Sequence, residues 1–321
     1  MNLNPSVEIF IPIYNRIDYI DRALKSATSQ DYENLVVTVS DNCSNDGTYE
    51  YLKSIESNKF TLKRNEKNLG IFGNFNQCIM RSKADYVLFL CSDDWIETSF
   101  ISNSVHAILK NDATYVSSIC IANYHNGEVA DIGNIMEFGV YSGEILLKAW
   151  FYVSFYYGKN IFSYPSGSLL NGKHLRNEVS FDSLLGDPAD IDMFLRLSFK
   201  GRAVFTEYLG ANIFIHDNQE SAKSAIDGSI LNSQQLILEK YRPKLAKLNL
   251  FDDLDCLSNF PIIKYNISVF IWRKNTPYFP LTKCKYAFIL LGCYKRIVNH
   301  IKFTIFKGFV IKELNLKFKT K

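Results

Sequence analysis

The residues best suited to chemistry are Asp93 and Asp94, two adjacent carboxylates in the segment YVLFLCSDDW at positions 86–95. The apolar run before them predicts a strand that is buried on both faces of a parallel sheet. Ligands of such sheets bind just beyond the carboxyl ends of the strands. Adjacent carboxylates repel each other unless a cation or a hydrogen-bond donor lies with them. The simplest expectation is a hard divalent cation that also holds the phosphates of a substrate.

The elements that position this pair follow an alternation of strand and helix patterns. Periodicity predicts strands at 7–12, 35–41, 60–64, 85–91 and 113–122, and helices at 17–29, 48–55, 71–82, 99–110 and 187–201. Such alternation indicates βαβ units, a parallel sheet and helices on both of its faces. Right-handed crossovers would place the loops after the strands along one edge of the sheet.

Residues suited to ligand binding gather where the predicted strands end, on the same edge as the carboxylate pair. They are Pro12, Tyr14, Asn15, Arg16, Asp41, Asn42, Asn68 and Gly70. An aromatic ring, amide and carboxylate acceptors and an arginine suit a nucleoside diphosphate, with the cation on its phosphates. The glycine patterns of dinucleotide-binding folds, P-loops and α/β-hydrolases do not occur where those folds need them.

The composition is that of a globular protein with a substantial core, since 47% of the 321 residues are hydrophobic and 21% are charged. Seven cysteines form no C-x-x-C pair and no cluster with metal-ligand spacing, so we expect reduced thiols in a cytosolic protein. The first residues contain no basic stretch followed by an apolar run, so we expect no secretory signal. We also expect no nucleic-acid partner.

Charge is unevenly distributed along the chain. Residues 283–321 contain ten Lys or Arg and one acid, whereas the rest has 26 basic and 32 acidic residues. The apolar stretch at 286–294 is shorter than the roughly 20 residues that cross a bilayer. We therefore expect a basic amphipathic tail that lies on the inner face of the cell membrane and is attracted to anionic lipid. The alternative is a helix packed on the rest of the protein with a solvated basic side.

Four motifs carry a resemblance to a known family. IFIPIYNR, VVTVSDNCSNDGT, NEKNLGIFGNFNQCI and ADYVLFLCSDDW occur in an order and spacing that resemble family 2 glycosyltransferases, closely over 5–125 and loosely to 225. The resemblance implies an α/β GT-A fold, a Rossmann-like, mostly parallel twisted sheet with helices on both faces and a C-terminal helical extension. The implied domains are a catalytic domain at 1–225, with a nucleotide-binding half at 1–125 and an acceptor half at 126–225, and a helical region at 226–321.

The resemblance also implies a pocket for the nucleotide sugar. Its residues would be Pro12, Tyr14, Asn15, Arg16, Asp41, Asn42, Asn68, Gly70, Ser92 and Asp94. Within this pocket, Asp41 would bond the base, which is most often uracil. Asn68 and Gly70 would lie near the ribose or the sugar.

The metal site implied by the resemblance departs from the family pattern at one residue. Cys91-Ser92-Asp93 occupies the place of the Asp-x-Asp motif, so Asp93 becomes the main carboxylate for Mn²⁺ or Mg²⁺. Asp94 would support Asp93 or touch the donor sugar. His216 resembles a family histidine that follows the last strand and can reach the metal or the diphosphate. We expect Cys91 to be a small buried hydrophobe and not a nucleophile.

A second, looser match implies a general base at the start of the predicted helix PADIDMFLRL. On this register Asp190 takes the proton of the acceptor hydroxyl, and Ala189 stands where the family usually has Glu. Asp187 and Asp192 are alternatives if the register shifts by a loop residue; otherwise we expect Asp192 to make a surface contact. With a metal on the departing diphosphate, direct displacement would invert the anomeric centre.

The implied activity is the inverting transfer of a sugar from a UDP-linked donor to a hydroxyl of a bacterial surface glycan, an O-antigen or capsule intermediate on a polyprenyl diphosphate carrier. Two other classes stay open. A nucleotidyltransferase would attack a phosphate, and it usually has a Gly-rich basic loop that PIYNRID does not resemble. A non-catalytic sugar-nucleotide binder would tolerate Cys91 and Ala189. Asp93, Asp190 and His216 could each also have a purely structural role.

Overall fold

The computed structural model describes residues 4–132, 136–154, 160–178, 180–186, 188–216, 219 and 229–248. The basic tail and most of the predicted helical region at 226–321 lie outside these residues, as does Asp187. The predicted domain boundary at 225 lies between described segments and stays a prediction.

Every strand and helix predicted above is found, with bounds that differ by at most three residues. The strands are β1 (Val7–Ile13), β2 (Leu35–Asp41), β3 (Thr61–Arg64), β4 (Tyr86–Phe89), β5 (Trp95–Ile96), β6 (Ala113–Tyr124), β7 (Val129–Asp131), β8 (Gly139–Tyr141), β9 (Ser168–Asn171) and β10 (Arg202–Ile215). The α-helices are α1 (Ile20–Thr28), α2 (Thr48–Ser54), α3 (Gly70–Arg81), α4 (Phe100–Asn111), α5 (Gly143–Tyr152), α6 (Gly172–Glu178), α7 (Ala189–Ser198) and α8 (Ser229–Lys247).

The strands form one sheet in the order β3–β2–β1–β4–β9–β6–β10–β5, with β7 on β6 and β8 on β10. β1 is parallel to β2 and β4, β2 to β3, and β6 to β10. The antiparallel pairs are short and involve β5, β7, β8 and β9. The long ladders are therefore parallel, as expected, and antiparallel β9 joins the two parallel parts of the sheet.

The strands next to the site are buried on both faces of the sheet. Side chains of β1 alternate between two apolar clusters, so that Ile9 and Ile11 pack with Leu88 on one face. Phe10 packs with Phe89 on the other face, with ring centroids 6.2 Å apart. Residues of α1 and α4 cover the first face and residues of α3 cover the second. The continuous apolar runs in the sequence reflect this burial.

Helices α5, α7 and α8, which follow β6 in the chain, pack in the cluster on the second face of the sheet. Trp150 of α5, Phe194 of α7 and Leu238 of α8 are buried in one cluster. Within the described ranges, α8 and the other helices are too short or too polar to cross a bilayer.

Candidate active site

A tight turn follows β4 at the edge where the parallel strands end. The Asp94 N–H donates to the Cys91 carbonyl oxygen at 3.0 Å and closes this turn. The Leu90 N–H continues the β1 ladder by donating to the Phe10 carbonyl oxygen at 2.8 Å. The turn gives the two adjacent carboxylates different surroundings.

Asp94 is buried and joins three segments of the chain. The Ser166 hydroxyl donates to Asp94 Oδ2 at 2.6 Å, and the Phe214 N–H donates to Oδ1 at 3.0 Å. Ser166 Oγ also accepts the Cys91 N–H at 3.0 Å. Burial, and then the charge of Asp93, raise the pKa of Asp94 well above its ordinary value. Because both carboxylate oxygens have partners inside the protein, contact of Asp94 with a donor sugar stays a prediction.

Asp93 faces His216, which lies just after the end of β10. Asp93 Oδ2 and His216 Nε2 are 3.0 Å apart, and the two side chains are only 13% and 6% exposed. The His216 ring stacks on Tyr19, with centroids 4.8 Å apart. Its buried Nδ1 has no hydrogen-bond partner among the described residues.

This pair fits a divalent cation. A separation near 3 Å is what two neighbouring octahedral ligands have when each lies about 2.1 Å from the ion. Carboxylate oxygen suits Mg²⁺ and Mn²⁺, whereas imidazole nitrogen more often binds Zn²⁺, Cu, Fe or Ni. The part of the chain that the structure describes contains no group of three His, Cys, Asp or Glu side chains able to hold a metal. Asp93 and His216 would therefore hold a cation as two ligands, which leaves positions for water and phosphate.

Arg22 of α1 supports the turn that carries Asp93. Its Nη2 donates to the Asp93 carbonyl oxygen at 2.9 Å. The guanidinium carbon lies 3.7 Å from the ring centroid of Trp95 and 4.7 Å from that of Phe214. Burial lowers the pKa of Arg22, and the charges of Asp94 and Asp93 oppose this shift. Arg22 thus brings a positive charge and a rigid contact to the carboxylate pair.

The loop after β1 is bonded to the loop after β2. Asn15 has a left-handed φ of 52°, which Asn tolerates better than most residues. Its N–H donates to Ser44 Oγ at 3.0 Å, and its side-chain amide exchanges two hydrogen bonds of 2.9 Å with Asn45. The Arg16 N–H donates to Thr48 Oγ1 at 3.1 Å. These contacts fix the shape of the predicted nucleotide pocket at this point.

Asp41 ends β2 with a fully buried side chain. Both of its oxygens accept the Ser44 N–H at 3.2 Å, and Oδ2 lies 3.3 Å from Arg64 Nε. The Arg64 guanidinium also lies 4.1 Å from the ring centroid of Tyr49. Asp41 therefore organises its own loop, and its contact with a base stays a prediction.

Asn42 brings the Asn68–Gly70 turn to the end of β2. Its Nδ2 donates to Asn68 Oδ1 at 2.8 Å and to the Gly70 carbonyl oxygen at 3.1 Å. Its Oδ1 accepts the Leu69 N–H and Asn65 Nδ2, both at 3.0 Å. Gly70 begins α3 with a φ of 73°, a conformation that strains other residues.

Asp190 lies half-buried in the first turn of α7, where it accepts the N–H of Ile191 at 2.7 Å. Burial, followed by the charges of Asp94, Asp93 and Asp190, raises the pKa of the Cys91 thiol well above its ordinary value. Asp190 is therefore close enough to the turn after β4 to act on it electrostatically. Partial burial of Cys91 against the apolar core agrees with its expected role as a small hydrophobe.

The expected surface contact of Asp192 is wrong. Its side chain is fully buried, and Lys240 and Tyr241 of α8 both contact it. Asp192 accepts from Arg196 Nε at 2.7 Å and from the Tyr241 hydroxyl at 3.1 Å. These contacts make Asp192 a poor rival to Asp190 as the base.

Comparison with protein families identifies the class of domain that contains this site. Residues 8–164 match the family model described as Glycosyl transferase family 2. This chain contains a family 2 glycosyltransferase domain. The matched range runs from β1 to the residue before the turn that carries Ser166, and it includes Asp93.

Curated relatives of this glycosyltransferase domain come from bacterial glycan synthesis. The chain is 26% identical over 265 residues to hyaluronan synthase of Pasteurella multocida, covering 79% of this chain and 25% of that protein. It is 34% identical over 100 residues to the Escherichia coli UDP-Glc:alpha-D-GlcNAc-diphosphoundecaprenol beta-1,3-glucosyltransferase WfaP, covering 31% of this chain and 40% of that protein. The chain thus spans a minor part of the length of these relatives.

Solved structures confirm the predicted GT-A fold. Staphylococcus aureus TarS 1–349, in complex with UDP-GlcNAc, superimposes with a TM-score of 0.54 at 15% identity, covering 81% of this chain and 80% of that 1–349 chain. The mannosyltransferase PcManGT from Pyrobaculum calidifontis, in complex with GDP-Man and Mn²⁺, gives a TM-score of 0.53 at 13% identity, covering 96% of this chain and 85% of that one.

The predicted site residues that follow β1, β2 and β4 lie at one edge of the sheet, and His216 joins them through Asp93. Pro12 and Ser92 are buried there, whereas Tyr14 is 39% exposed and available to a ligand. Sequence reasoning missed Arg22, Arg64 and Ser166. Each is a single polar residue in a helix, a strand end or a turn, and no motif in the sequence distinguishes it.

Proposed function

We propose that this family 2 domain transfers a sugar from a UDP-linked donor to a hydroxyl of a glycan acceptor, with inversion at the anomeric carbon. The observation that carries the proposal is the juxtaposition of Asp93 and His216, 3.0 Å apart at the carboxyl edge of the sheet. Asp190 is within electrostatic range of the same turn. A pair that can hold a cation for the diphosphate and a separate carboxylate for the hydroxyl proton are what displacement of a diphosphate by a hydroxyl requires.

The donor and acceptor classes are proposed from the relatives. The name of WfaP specifies a UDP-linked glucose and an acceptor on diphosphoundecaprenol, and TarS binds UDP-GlcNAc. We therefore propose a UDP-sugar donor and a polyprenyl-diphosphate-linked glycan acceptor. Such an acceptor would place the protein at the inner face of the membrane.

The residues of the chain would divide the reaction between two groups. Asp93 and His216 would hold a divalent cation, which neutralises charge on the departing diphosphate when it is bound. Asp190 would accept the proton of the acceptor hydroxyl at its carboxylate. The acceptor oxygen then bonds to the anomeric carbon from the face opposite the diphosphate, whose oxygen leaves with the electron pair of the broken bond. Backside attack inverts that carbon.

A non-catalytic binder of sugar nucleotides is the second candidate, because Cys91 and Ala189 both depart from the family pattern. Release of UDP from UDP-GlcNAc and UDP-glucose separates the two functions. We expect the wild type to release UDP and the variants Asp190→Asn and Asp93→Ala to do so at least about a hundredfold more slowly. Glu128→Gln, a change of an exposed carboxylate between β6 and β7, should keep the wild-type rate. Wild-type rates in both site variants would refute the assignment.

A binding measurement tests the cation site independently of turnover. Mn²⁺ should raise the melting temperature of the wild type, because an ion that binds only the folded state stabilises it. EDTA should reverse the rise, and His216→Ala should abolish most of it. An equal rise in His216→Ala would remove His216 from the site.

A further inference from the structure

We propose that Asp192 is a positioning residue for Asp190, and that Lys240 and Tyr241 of α8 complete its anchor. The inference rests on the proposed function, in which Asp190 is the general base. The new element is that α8, which follows the last strand of the sheet, sets the geometry of the base without contacting substrate.

Asp192 is a fully buried carboxylate with a complete set of donors. Arg196 Nε lies 2.7 Å from Oδ2, and Lys240 Nζ lies 2.9 Å from Oδ1. The Tyr241 hydroxyl donates to Oδ1 at 3.1 Å and lies 3.4 Å from the Asp192 carbonyl oxygen. Burial, and then the charge of Asp192, raise the pKa of Tyr241, so its hydroxyl remains a donor. A buried carboxylate held by several short bonds has little freedom to move.

The anchored residue and the proposed base belong to the same helical turn. The N–H groups of Ile191 and Asp192 both donate to the Pro188 carbonyl oxygen, at 3.1 and 3.4 Å. The side chain of Asp190 accepts the Ile191 N–H within that turn. Any shift of Asp192 is therefore carried by the backbone to Asp190, two residues away.

The anchor also reaches the donor side of the sheet. Lys240 Nζ bonds Asp182 Oδ2 at 3.3 Å, in the segment that precedes α7. The neighbouring Phe181 exchanges two hydrogen bonds with the side chain of Asn76 in α3, at 2.8 and 2.9 Å. α3 begins at Gly70, in the predicted sugar pocket. A chain of hydrogen bonds and ion pairs thus connects α8 with the first turn of α7, which carries Asp190, and with α3.

The test uses variants that change the anchor from α8 and keep Asp192 itself. Lys240→Met with Tyr241→Phe removes one cation and one hydroxyl but keeps the buried ring, which packs 6.5 Å from Trp150. Lys247→Met makes the same charge change at an exposed position of the same helix and serves as the matched control. Lys240→Arg with native Tyr241 tests rescue by a conservative cation.

The readout is UDP release from UDP-GlcNAc, with kcat and KM determined below the melting temperature of each variant, together with the Kd for UDP. For the double variant we expect kcat to fall about ten- to a hundredfold, since misplacement of a catalytic group by an ångström costs that much. KM and the UDP Kd should stay at wild-type values. Lys247→Met should match the wild type, and Lys240→Arg should recover most of kcat.

An unchanged kcat in the double variant would overturn the inference, even if its melting temperature falls, because the network would then be structural only. Failure of the proposed function looks different. If the wild type releases no UDP, or if Asp190→Asn releases it at the wild-type rate, Asp190 is not the base and the inference falls with that assignment.

Discussion

Two pairs of aspartates, one after β4 and one in the first turn of α7, each combine a buried, bonded member with a less buried one. After β4, Asp94 is buried and bonded to Ser166 and Phe214, while Asp93 faces His216. In the first turn of α7, Asp192 is buried and bonded while Asp190 is only half-buried. In each pair the buried member holds the local structure, and the other member is the one to which the proposed function assigns a ligand.

The pairs differ in the charge of their partners. Asp94 is held by a hydroxyl and a backbone N–H, and its pKa is raised. Asp192 is held by the cations of Arg196 and Lys240 as well as a hydroxyl. The first buried carboxylate bonds neutral donors, and the cation that acts on it, Arg22, bonds the Asp93 carbonyl oxygen instead. Cationic donors compensate the second buried charge, so that the adjacent base acts with little interference from Asp192.

The largest expected effect on stability is the difference between replacing Asp192 and replacing Asp94, the buried members of the two pairs. Asp192→Asn should lose about 3 kcal/mol of unfolding free energy, because it leaves two cations without their buried partner. Asp94→Asn should lose no more than about 1 kcal/mol, because an amide can still accept from the Phe214 N–H and donate to Ser166. Urea denaturation of both variants measures the difference. Equal losses would mean that partner charge does not distinguish the anchors.

Ser166→Ala should have the next largest effect. It removes the hydroxyl that donates to Asp94 and accepts the Cys91 N–H, so two buried groups lose their partner. We expect a loss of about 1–3 kcal/mol in urea denaturation. Ser102→Ala, at an exposed position of α4, should stay within about 0.5 kcal/mol of the wild type. If the two variants match, Asp94 is not anchored by Ser166.

Arg22→Met should cost about 1 kcal/mol, because the methionine packs on Trp95 without the cation–π contact and without the bond to the Asp93 carbonyl. Arg22→Lys should recover only part of the loss, since an ammonium cannot stack as a planar guanidinium does. A double-mutant cycle with Trp95→Leu checks the contact directly. A coupling energy near zero would contradict the contact.

Asp182→Asn should have the smallest effect, below about 0.5 kcal/mol. Asp182 shares Lys240 with Asp192, but the side chains of Lys240 and Asp182 are both 36% exposed, and solvent screens such pairs. Thermal denaturation of Asp182→Asn and Asp192→Asn, measured side by side, compares the exposed and the buried carboxylate partner of Lys240. A loss as large as that of Asp192→Asn would show that burial is not what gives the anchor its strength.

Much of the fold could be predicted from local patterns. Apolar runs and helical periods record how a segment is buried, so β1, β4 and α1 appear in the sequence with nearly their observed bounds. The residues at the strand ends could be predicted as well, because parallel strands place their following loops on one edge. Asp192 could not be assigned correctly, because the helix that buries it begins 37 residues later, at Ser229.

The sequence by itself determined the order of strands and helices, the polar edge and the likeness to family 2 glycosyltransferases, because each depends on patterns within short segments. Only the tertiary structure decided which of two adjacent aspartates faces His216 and which is bonded to Ser166 and the Phe214 N–H. Asp93 and Asp94 are the same residue type one position apart, and their partners come from Ser166 and His216, which are 72 and 123 residues further along the chain. Pairing over such distances is set by how the sheet and its loops pack together, and local periodicity contains no record of it.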